Sequence, residues 1–213
     1  MPERWRGVDG ATEHALKCWT RYSGSRVRPP LPRALLCALV GVFLDFGLKT
    51  TAVALCLAFG TYLRPGELFA LEQRHLVPSF PTAGWFSWSV LFAKREDGLP
   101  TKGNNFDEAI EVDGQWGLWL GRVLEILHRR RKPRQSLWAP HTSADMIRHL
   151  WTAAASLHLG QMDIQWHMAR HRGASHYAAM GLRSLETIQN RLRHSSLNTV
   201  RRYKKAGNIV AKL

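Results

Sequence analysis

The sequence has little that would suit a disulfide-stabilised, zinc-bound or secreted protein. Cysteine occurs three times in 213 residues, and the odd number and the lack of a CxxC pair argue against a disulfide framework and against a zinc site of common spacing. Cys37 and Cys56 lie in apolar runs, where cysteine usually behaves as a small buried hydrophobe. The first ten residues, MPERWRGVDG, have no apolar segment of the kind that a secretory signal requires.

An uninterrupted hydrophobic run long enough for a membrane span is also lacking. Residues 34–63 are mostly apolar, but Asp45, Gly47 and Lys49 interrupt them. Each half is about 13 residues long, which is shorter than the roughly 20 apolar residues that a spanning helix needs. We therefore predict two buried core helices joined at Gly47, and no contact with a membrane.

Acidic residues are scarce relative to basic ones. The chain has 16 Asp and Glu against 30 Lys and Arg, which gives a formal net charge of +14 at pH 7. This excess favours nucleic acid as the partner over the alternative of a basic protein without a polyanionic partner. The arginine-rich residues 1–33 and the run 122–134 would contact phosphates, although residues 128–134 also fit a nuclear-import signal. The nine tryptophans, Trp119 and Trp151 among them, are interpreted as core residues and not as base-stacking platforms.

Apolar periodicity and breaker residues predict an α+β fold that is mostly α. Residues 1–33 end in RPPLPR, which disfavours helix, so we interpret them as a basic flank or linker ahead of one domain at 34–213. Residues 34–73 and the chain from Trp116 onward have helical spacing, whereas residues 75–114 combine β-branched and aromatic runs with breakers. A small antiparallel sheet is therefore predicted as an insertion between helices. Breaks in the later helices are expected near 128–136, 159–163 and 194–196.

The residues of greatest chemical interest fall in the last 50. His167 and Arg170 are three positions apart, so they share one face of a helix. Residues 182–192 have the apolar spacing of an amphipathic helix, and residues 194–196 (HSS) predict a turn whose serine caps the next helix. Tyr203 follows that turn's histidine by nine positions. Taken singly, each histidine could be an ordinary half-buried side chain, and the tyrosine could be an aromatic residue on a basic helix. The functional interpretation therefore depends on the order and spacing of these residues together.

This order, H-x-x-R, an amphipathic helix, H-S-S-x-x-T and a tyrosine nine positions after His194, resembles the C-terminal signature of the tyrosine recombinase (phage integrase) family. Upstream, TYLRPGELFALEQRHL resembles the first arginine box of the family, which Arg64 and Glu67 match. The family has a catalytic lysine in the hairpin between these boxes, which Lys102 matches, with Lys94 as a weaker competitor. The resemblance covers residues 34 to 210 in the family's own order, so it implies that the domain at 34–213 is a catalytic domain of this type.

The resemblance implies an enzyme that cleaves and rejoins DNA strands through a 3′-phosphotyrosine intermediate, as in site-specific recombination and DNA integration. Arg64 and Arg170 would neutralise the phosphate, because guanidiniums keep their charge when desolvated and bind two oxygens at once. His194 would add a hydrogen bond to the same phosphate. Tyr203 would be the nucleophile.

The resemblance also implies residues that transfer or direct protons. His167 would accept the proton of the attacking tyrosine, whose ordinary pKa is about 10. Lys102 would protonate the departing 5′-hydroxyl, and Glu67 would orient catalytic groups. The phosphotyrosine conserves the bond energy, so no ATP, metal ion or other cofactor is implied.

Several departures from the family pattern bear on the expected activity. Arg193 stands where a glycine commonly precedes the histidine, Arg172 stands where a small residue is common, and ten residues follow Tyr203. Members of the family usually have a separate N-terminal helical domain that completes a clamp around DNA. Only residues 1–33 precede the catalytic region here, so we expect either a fragment or a clamp half that another chain supplies.

The expected partners are double-stranded DNA, further copies of the chain in a dimer or tetramer on DNA, and a separate N-terminal DNA-binding domain. The expected location is intracellular and DNA-associated, in the nucleus of a eukaryote or the nucleoid of a bacterium. Two alternatives stay open. One is a catalytically inactive DNA-binding relic of a mobile element, and the other is a relaxing enzyme similar to type IB topoisomerases.

Overall fold

The computed structural model describes the chain except for its two ends and several short internal stretches. The nucleophile candidate Tyr203, both candidate lysines, Lys94 and Lys102, and the predicted flank up to residue 32 lie outside the described residues. The described residues are 33–80, 82, 87–92, 98, 108–112, 114–160, 163–194, 196, 197 and 200, without the side chains of 114–118.

The apolar residues near the start of the domain form two helices, as predicted. Helix α1 spans Arg33–Asp45 and helix α2 spans Lys49–Thr61. Gly47 separates them with a φ of 72°, a left-handed conformation that costs glycine nothing in steric clash. Helix α2 is buried along most of its length, so it lies in the middle of the fold. No helix among the described residues is long and apolar enough to cross a membrane.

A small antiparallel sheet follows α2, as predicted. Its strands lie in the order β1-β2-β3, and Val90 in the middle strand pairs with Leu76 on one side and Ile110 on the other. All three of these residues are buried, so one face of the sheet packs on the helices. The elements of this region are helix α3 (Pro65–Phe69), a 3-10 turn (Gln73–His75), and strands β1 (Leu76–Val77), β2 (Trp88–Phe92) and β3 (Glu108–Val112).

The rest of the described chain is helical, with interruptions in the three predicted regions. Two boundaries differ from the prediction. Helix α4 continues through Arg130 into the basic run, because cations are favoured in the last turn of a helix. Helix α7 begins at Leu185 instead of Leu182, because the Ser184 hydroxyl accepts a hydrogen bond from the Thr187 N–H at 3.1 Å and caps the helix there. The four helices are α4 (Gly114–Arg130), α5 (Ser143–Ser156), α6 (Trp166–Ala179) and α7 (Leu185–Leu192).

Helices α2 and α6 pack against each other at the centre of the domain. Gly173 lies at their closest approach, where an added Cβ would be 2.0 Å from the carbonyl oxygen of Phe59 and 2.7 Å from Cε1 of Tyr62. A side chain of any size would therefore push the two helices apart. This close packing places the C-terminal end of α2, just before Arg64, beside the helix that contains Arg170.

Three side chains that the sequence assigned to the core are exposed instead. Trp119 is 44% exposed and Trp151 is 60% exposed, and Cys37 is exposed as well. Each lies at an outward-facing position of its helix, and isolated apolar side chains at a protein surface are common. Cys56 is buried as predicted, and burial raises the pKa of its thiol to about 12.

Candidate active site

Arg64 lies three residues beyond the end of helix α2 and caps the N-terminus of helix α3, where Glu67 holds it in place. The Glu67 carboxylate accepts two hydrogen bonds from Arg64: Oε2 accepts from the backbone N–H at 2.7 Å, and Oε1 accepts from Nη1 at 2.8 Å. Pro65 occupies the first helical position, where its fixed φ suits the start of a helix. The Arg64 side chain is 23% exposed, so it is held firmly and still reaches the surface.

Arg170 lies on α6 and is only 3% exposed. Its Nη1 donates a hydrogen bond to the carbonyl oxygen of Tyr62, and its Nη2 donates to that of Leu192 at 2.5 Å. Both carbonyls lie at helix ends, where backbone carbonyls have no partner within the helix. Arg170 thereby joins the end of α2, which precedes Arg64, to the end of α7, which precedes His194.

His194 lies two residues beyond the end of α7, in a turn that Gln189 fixes. The backbone N–H of His194 donates to the Gln189 carbonyl at 3.1 Å, and Gln189 Nε2 donates to the His194 carbonyl at 2.9 Å. Burial lowers the pKa of His194, and the nearby guanidiniums of Arg170, Arg64 and Arg193 lower it further. These effects favour the neutral form of the imidazole, which lies within electrostatic reach of three arginines.

Four predicted site residues come together from three separate parts of the chain: Arg64, Glu67, Arg170 and His194. His167 lies one helical turn before Arg170, as its spacing predicts, and its ring centroid is 5.8 Å from that of His171. Lys102 and Tyr203 lie outside the described residues. Their positions relative to this cluster stay predictions.

Arg193 belongs to the same cluster, although the sequence pattern indicated no role for it. Its Nη2 donates to Oε2 of Glu67, and its Nε lies 3.2 Å from Oε2 of Glu108. Glu67 therefore binds two guanidiniums, those of Arg64 and Arg193. The sequence does show an arginine at a turn position where glycine is common. The contacts of this arginine could not be predicted from that position, because its acidic partners are distant in the chain.

The cluster has more positive than negative charge. The guanidiniums of Arg64, Arg170 and Arg193 outnumber the carboxylates of Glu67 and Glu108. A cleft of about 290 Å³ lies between β3 and the end of α7, and Arg193 and Glu108 are the cluster residues that line it. An excess of guanidiniums fits an anionic ligand such as a phosphate group. Within the part of the chain that the structure describes, no group of three or more His, Cys, Asp or Glu side chains is placed to hold a metal ion.

The two described tyrosines, Tyr62 and Tyr177, are buried. Arg183 Nη1 donates to the Tyr62 hydroxyl at 2.6 Å, and the same guanidinium lies 3.9 Å from the centroid of the Tyr177 ring. Burial raises the pKa of Tyr62 far above its usual range. Neither hydroxyl is suited to attack a phosphate on DNA. The remaining tyrosines, Tyr22 and Tyr203, lie outside the described residues.

Comparison with known proteins finds similarity in structure and none in sequence. No protein-family model matches the chain, and no curated protein matches its sequence. The structure is similar to that of the XerH site-specific recombinase bound to palindromic difH substrate in a post-cleavage complex, with a TM-score of 0.61, 16% identity and coverage of 96% of this chain and 54% of that one. It is also similar to a lambda integrase dimer bound to a COC′ core site, with a TM-score of 0.58, 18% identity and coverage of 87% of this chain and 51% of that one.

These similarities define the architecture of the chain. The chain spans about half the length of the recombinases that it matches. Identities below 20% leave the fold as the property that is shared. The small three-stranded antiparallel sheet among helices agrees with that fold. The chain therefore has the fold of the tyrosine recombinase catalytic domain.

Proposed function

We propose that this chain cleaves and rejoins DNA strands through a covalent 3′-phosphotyrosine intermediate, as in site-specific recombination and DNA integration. The observation that supports this most directly is that Arg64 and Arg170 both lie within electrostatic reach of the His194 imidazole, with Glu67 holding Arg64 in place. A phosphodiester resists nucleophiles because it is anionic, so cleavage requires preorganised cations and hydrogen-bond donors around its oxygens. The cluster supplies both.

The proposed reaction exchanges one phosphoester bond for another. The Tyr203 phenolic oxygen forms a bond to phosphorus while the bond from phosphorus to the 5′ oxygen breaks. His167 accepts the phenolic proton, and Lys102, or Lys94 in its place, donates a proton to the departing 5′ oxygen. Attack by an incoming 5′-hydroxyl reverses these steps and rejoins the strands. The neutral His194 imidazole keeps one N–H as a donor to the phosphate.

Burial of Tyr62 and Tyr177 supports Tyr203 as the nucleophile. Both buried rings are engaged by Arg183 inside the domain. Of the four tyrosines in the chain, this leaves Tyr22 and Tyr203 as candidates, and Tyr203 is the one that the family resemblance selects. Its neighbours Arg201, Arg202, Lys204 and Lys205 favour the phenolate.

Double-stranded DNA is the proposed partner. The net charge of +14 suits a polyanion, and exposed basic side chains lie in the last turn of α4 and just after it, namely Arg129, Arg130, Lys132 and Arg134. We further propose that residues 34–213 form the catalytic domain and residues 1–33 a flank. Copies of the chain would assemble on DNA, and a separate N-terminal DNA-binding domain would complete the clamp.

A pool of nicked duplexes with a randomised central sequence tests the proposal without knowledge of the target. Cleavage near the nick releases a short fragment that diffuses away, so the covalent adduct accumulates and survives detergent. We expect an adduct with the wild-type protein, none with Tyr203→Phe, and an undiminished amount with the matched control Tyr22→Phe. A wild-type protein that forms no adduct on any duplex, or a Tyr203→Phe protein that still forms one, would contradict the proposal.

DNA binding without cleavage is the second candidate, and the burial of Arg170 favours it. This guanidinium is 3% exposed and binds two backbone carbonyls, so its strongest contacts are structural. A non-catalytic protein would still bind duplex DNA with an affinity that falls by about 10³-fold or more between 50 and 200 mM salt if it contacts several phosphates. Such binding with no trace of adduct would select this alternative.

A further inference from the structure

Arg193 adopts a backbone conformation that suits glycine better than arginine. It caps the C-terminus of α7 with φ of 54° and ψ of 49°, and its backbone N–H donates to the Asn190 carbonyl at 3.0 Å. A left-handed conformation is sterically unfavourable for a residue with a Cβ, because the Cβ approaches the following carbonyl oxygen. The Arg193 side chain makes contacts that can offset this cost.

These contacts reach two other parts of the chain. Nη2 donates to Oε2 of Glu67, the residue that also binds Arg64, and Nε lies 3.2 Å from Oε2 of Glu108. The guanidinium also lies 4.5 Å from the centroid of the Phe92 ring. The side chain is 10% exposed, so water screens these interactions little.

Phe92 and Glu108 occupy a special place in the sheet. They face each other in the register of strands β2 and β3, as the last residue of one strand and the first of the other. Residues 93–107 connect them, and both candidate catalytic lysines, Lys94 and Lys102, belong to this segment. Arg193 therefore contacts the sheet at the two residues that flank this segment.

We propose that Arg193 is a positioning residue for strand cleavage, which fixes Arg64 through Glu67, and the ends of β2 and β3 through Phe92 and Glu108, relative to the neighbouring His194. This role rests on the proposed function, since it presupposes that the chain cleaves DNA. One guanidinium then sets the mutual geometry of three groups that come from different parts of the chain. A displacement of about 1 Å in such a group costs roughly 10²-fold in rate.

Arg193 also acts on the charge of His194. Arg170, Arg64 and Arg193 are the cations that face this imidazole, and together with burial they hold its pKa below the ordinary value. Removal of Arg193 should raise the pKa of His194. This change can be measured in the free protein, without DNA and without any assumption about catalysis.

Arg193→Gly is the decisive variant, because glycine keeps the left-handed turn and removes only the side chain. We expect the single-turnover rate of adduct formation on the selected duplex to fall at least tenfold, while the dissociation constant for that duplex changes less than threefold. The NMR titration of His194 in the DNA-free protein should shift to higher pH. Arg193→Lys, which keeps the charge without the planar fork, should react at a rate between those of the glycine variant and the wild type.

Arg148→Ala is the matched control, because it also removes one positive charge, from a side chain that is 69% exposed on α5. It should leave both the rate and the His194 titration unchanged. A wild-type rate in Arg193→Gly, an unshifted His194 titration, or a lysine variant no faster than the glycine variant would each overturn the positioning role. Failure of the proposed function is recognisable separately, because it would appear as a wild-type protein that forms no adduct, and it would overturn this role as well.

Discussion

Arg170 donates through both terminal nitrogens to carbonyl oxygens at the ends of helices α2 and α7. The H-x-x-R spacing correctly indicates that Arg170 shares a helix face with His167, but spacing contains no information about which acceptors a guanidinium will find. The partners of Arg170 are 108 and 22 positions away in the chain. They become neighbours because α6 packs against both α2 and α7.

This arrangement predicts a large loss of stability for Arg170→Ala. Two buried carbonyls would lose their donor, and each such group left without a partner costs about 1–3 kcal/mol. The free energy of unfolding, measured with urea, should therefore fall by about 2–6 kcal/mol. Arg148→Ala, at an exposed position, should change it by no more than about 0.5 kcal/mol. An Arg170→Ala protein as stable as the wild type would show that the two hydrogen bonds contribute nothing to the fold.

Of the two contacts that Glu67 makes with arginines, one could be predicted from the sequence and the other could not. The contact between Glu67 and Arg64 is local, because a carboxylate three residues after an arginine at a helix start can accept hydrogen bonds from it, and the structure has these bonds. The supporting role of Glu67 in catalysis stays a prediction. The pairing of Arg193 with Glu67 spans 126 positions. No local rule predicts such a contact, since it depends on how α3 and the end of α7 are placed by the whole core.

At the scale of elements, the contact between α2 and α6 sets the geometry of the site. Gly173 permits the close approach, because any Cβ there would overlap the Phe59 carbonyl oxygen. The same contact holds the end of α2 beside Arg170. The sequence predicts both helices from their periodicity, but their separation depends on a glycine in the interior of a helix, which propensity alone marks as unfavourable.

Gly173→Ala should destabilise the protein although alanine is the better helix former. We expect the free energy of unfolding to fall by about 3 kcal/mol, the upper end of the usual range for overpacking, because the clash is with backbone. Gly41→Ala in α1 is the matched control, since an added Cβ there meets nothing within 4 Å. It should raise the free energy of unfolding by about 0.5–1 kcal/mol. Equal effects of the two substitutions in urea denaturation would contradict the packing argument.

At the scale of the whole molecule, histidines couple the fold to pH. Burial lowers the pKa values of His149, His176 and His194 in the folded chain below the ordinary 6.5. Below pH 6.5 the unfolded chain therefore binds more protons than the folded one, so stability falls as the pH falls. Their contribution is fully present above pH 6.5 and is lost as the pH drops from there toward the folded-state pKa values. Asp145, whose pKa is lowered to about 2, acts only in a more acidic range.

We accordingly expect the urea midpoint to decrease between pH 7.5 and pH 5. The triple variant His149→Gln, His176→Gln, His194→Gln should have a flatter profile over the same range, because glutamine does not titrate. Circular dichroism at several pH values measures both profiles. A wild-type midpoint that stays constant or increases toward pH 5 would contradict the expected direction.

The sequence by itself determined what is local or periodic in this protein. The helix pair divided at Gly47, the sheet inserted between helices and the shared face of His167 and Arg170 all follow from spacing and breaker residues, and the structure agrees. The net positive charge likewise follows from the sequence alone, because basic residues outnumber acidic ones.

Only the tertiary structure decided which charges meet. The carbonyl partners of Arg170, the double engagement of Glu67, and the link from Arg193 to Glu108 and Phe92 each join residues far apart in the chain. It also decided that Trp119 and Trp151 face outward. The physical reason is the same in each case: ion pairs and burial depend on distances that the packing of the whole core fixes, and no property of a short segment encodes them.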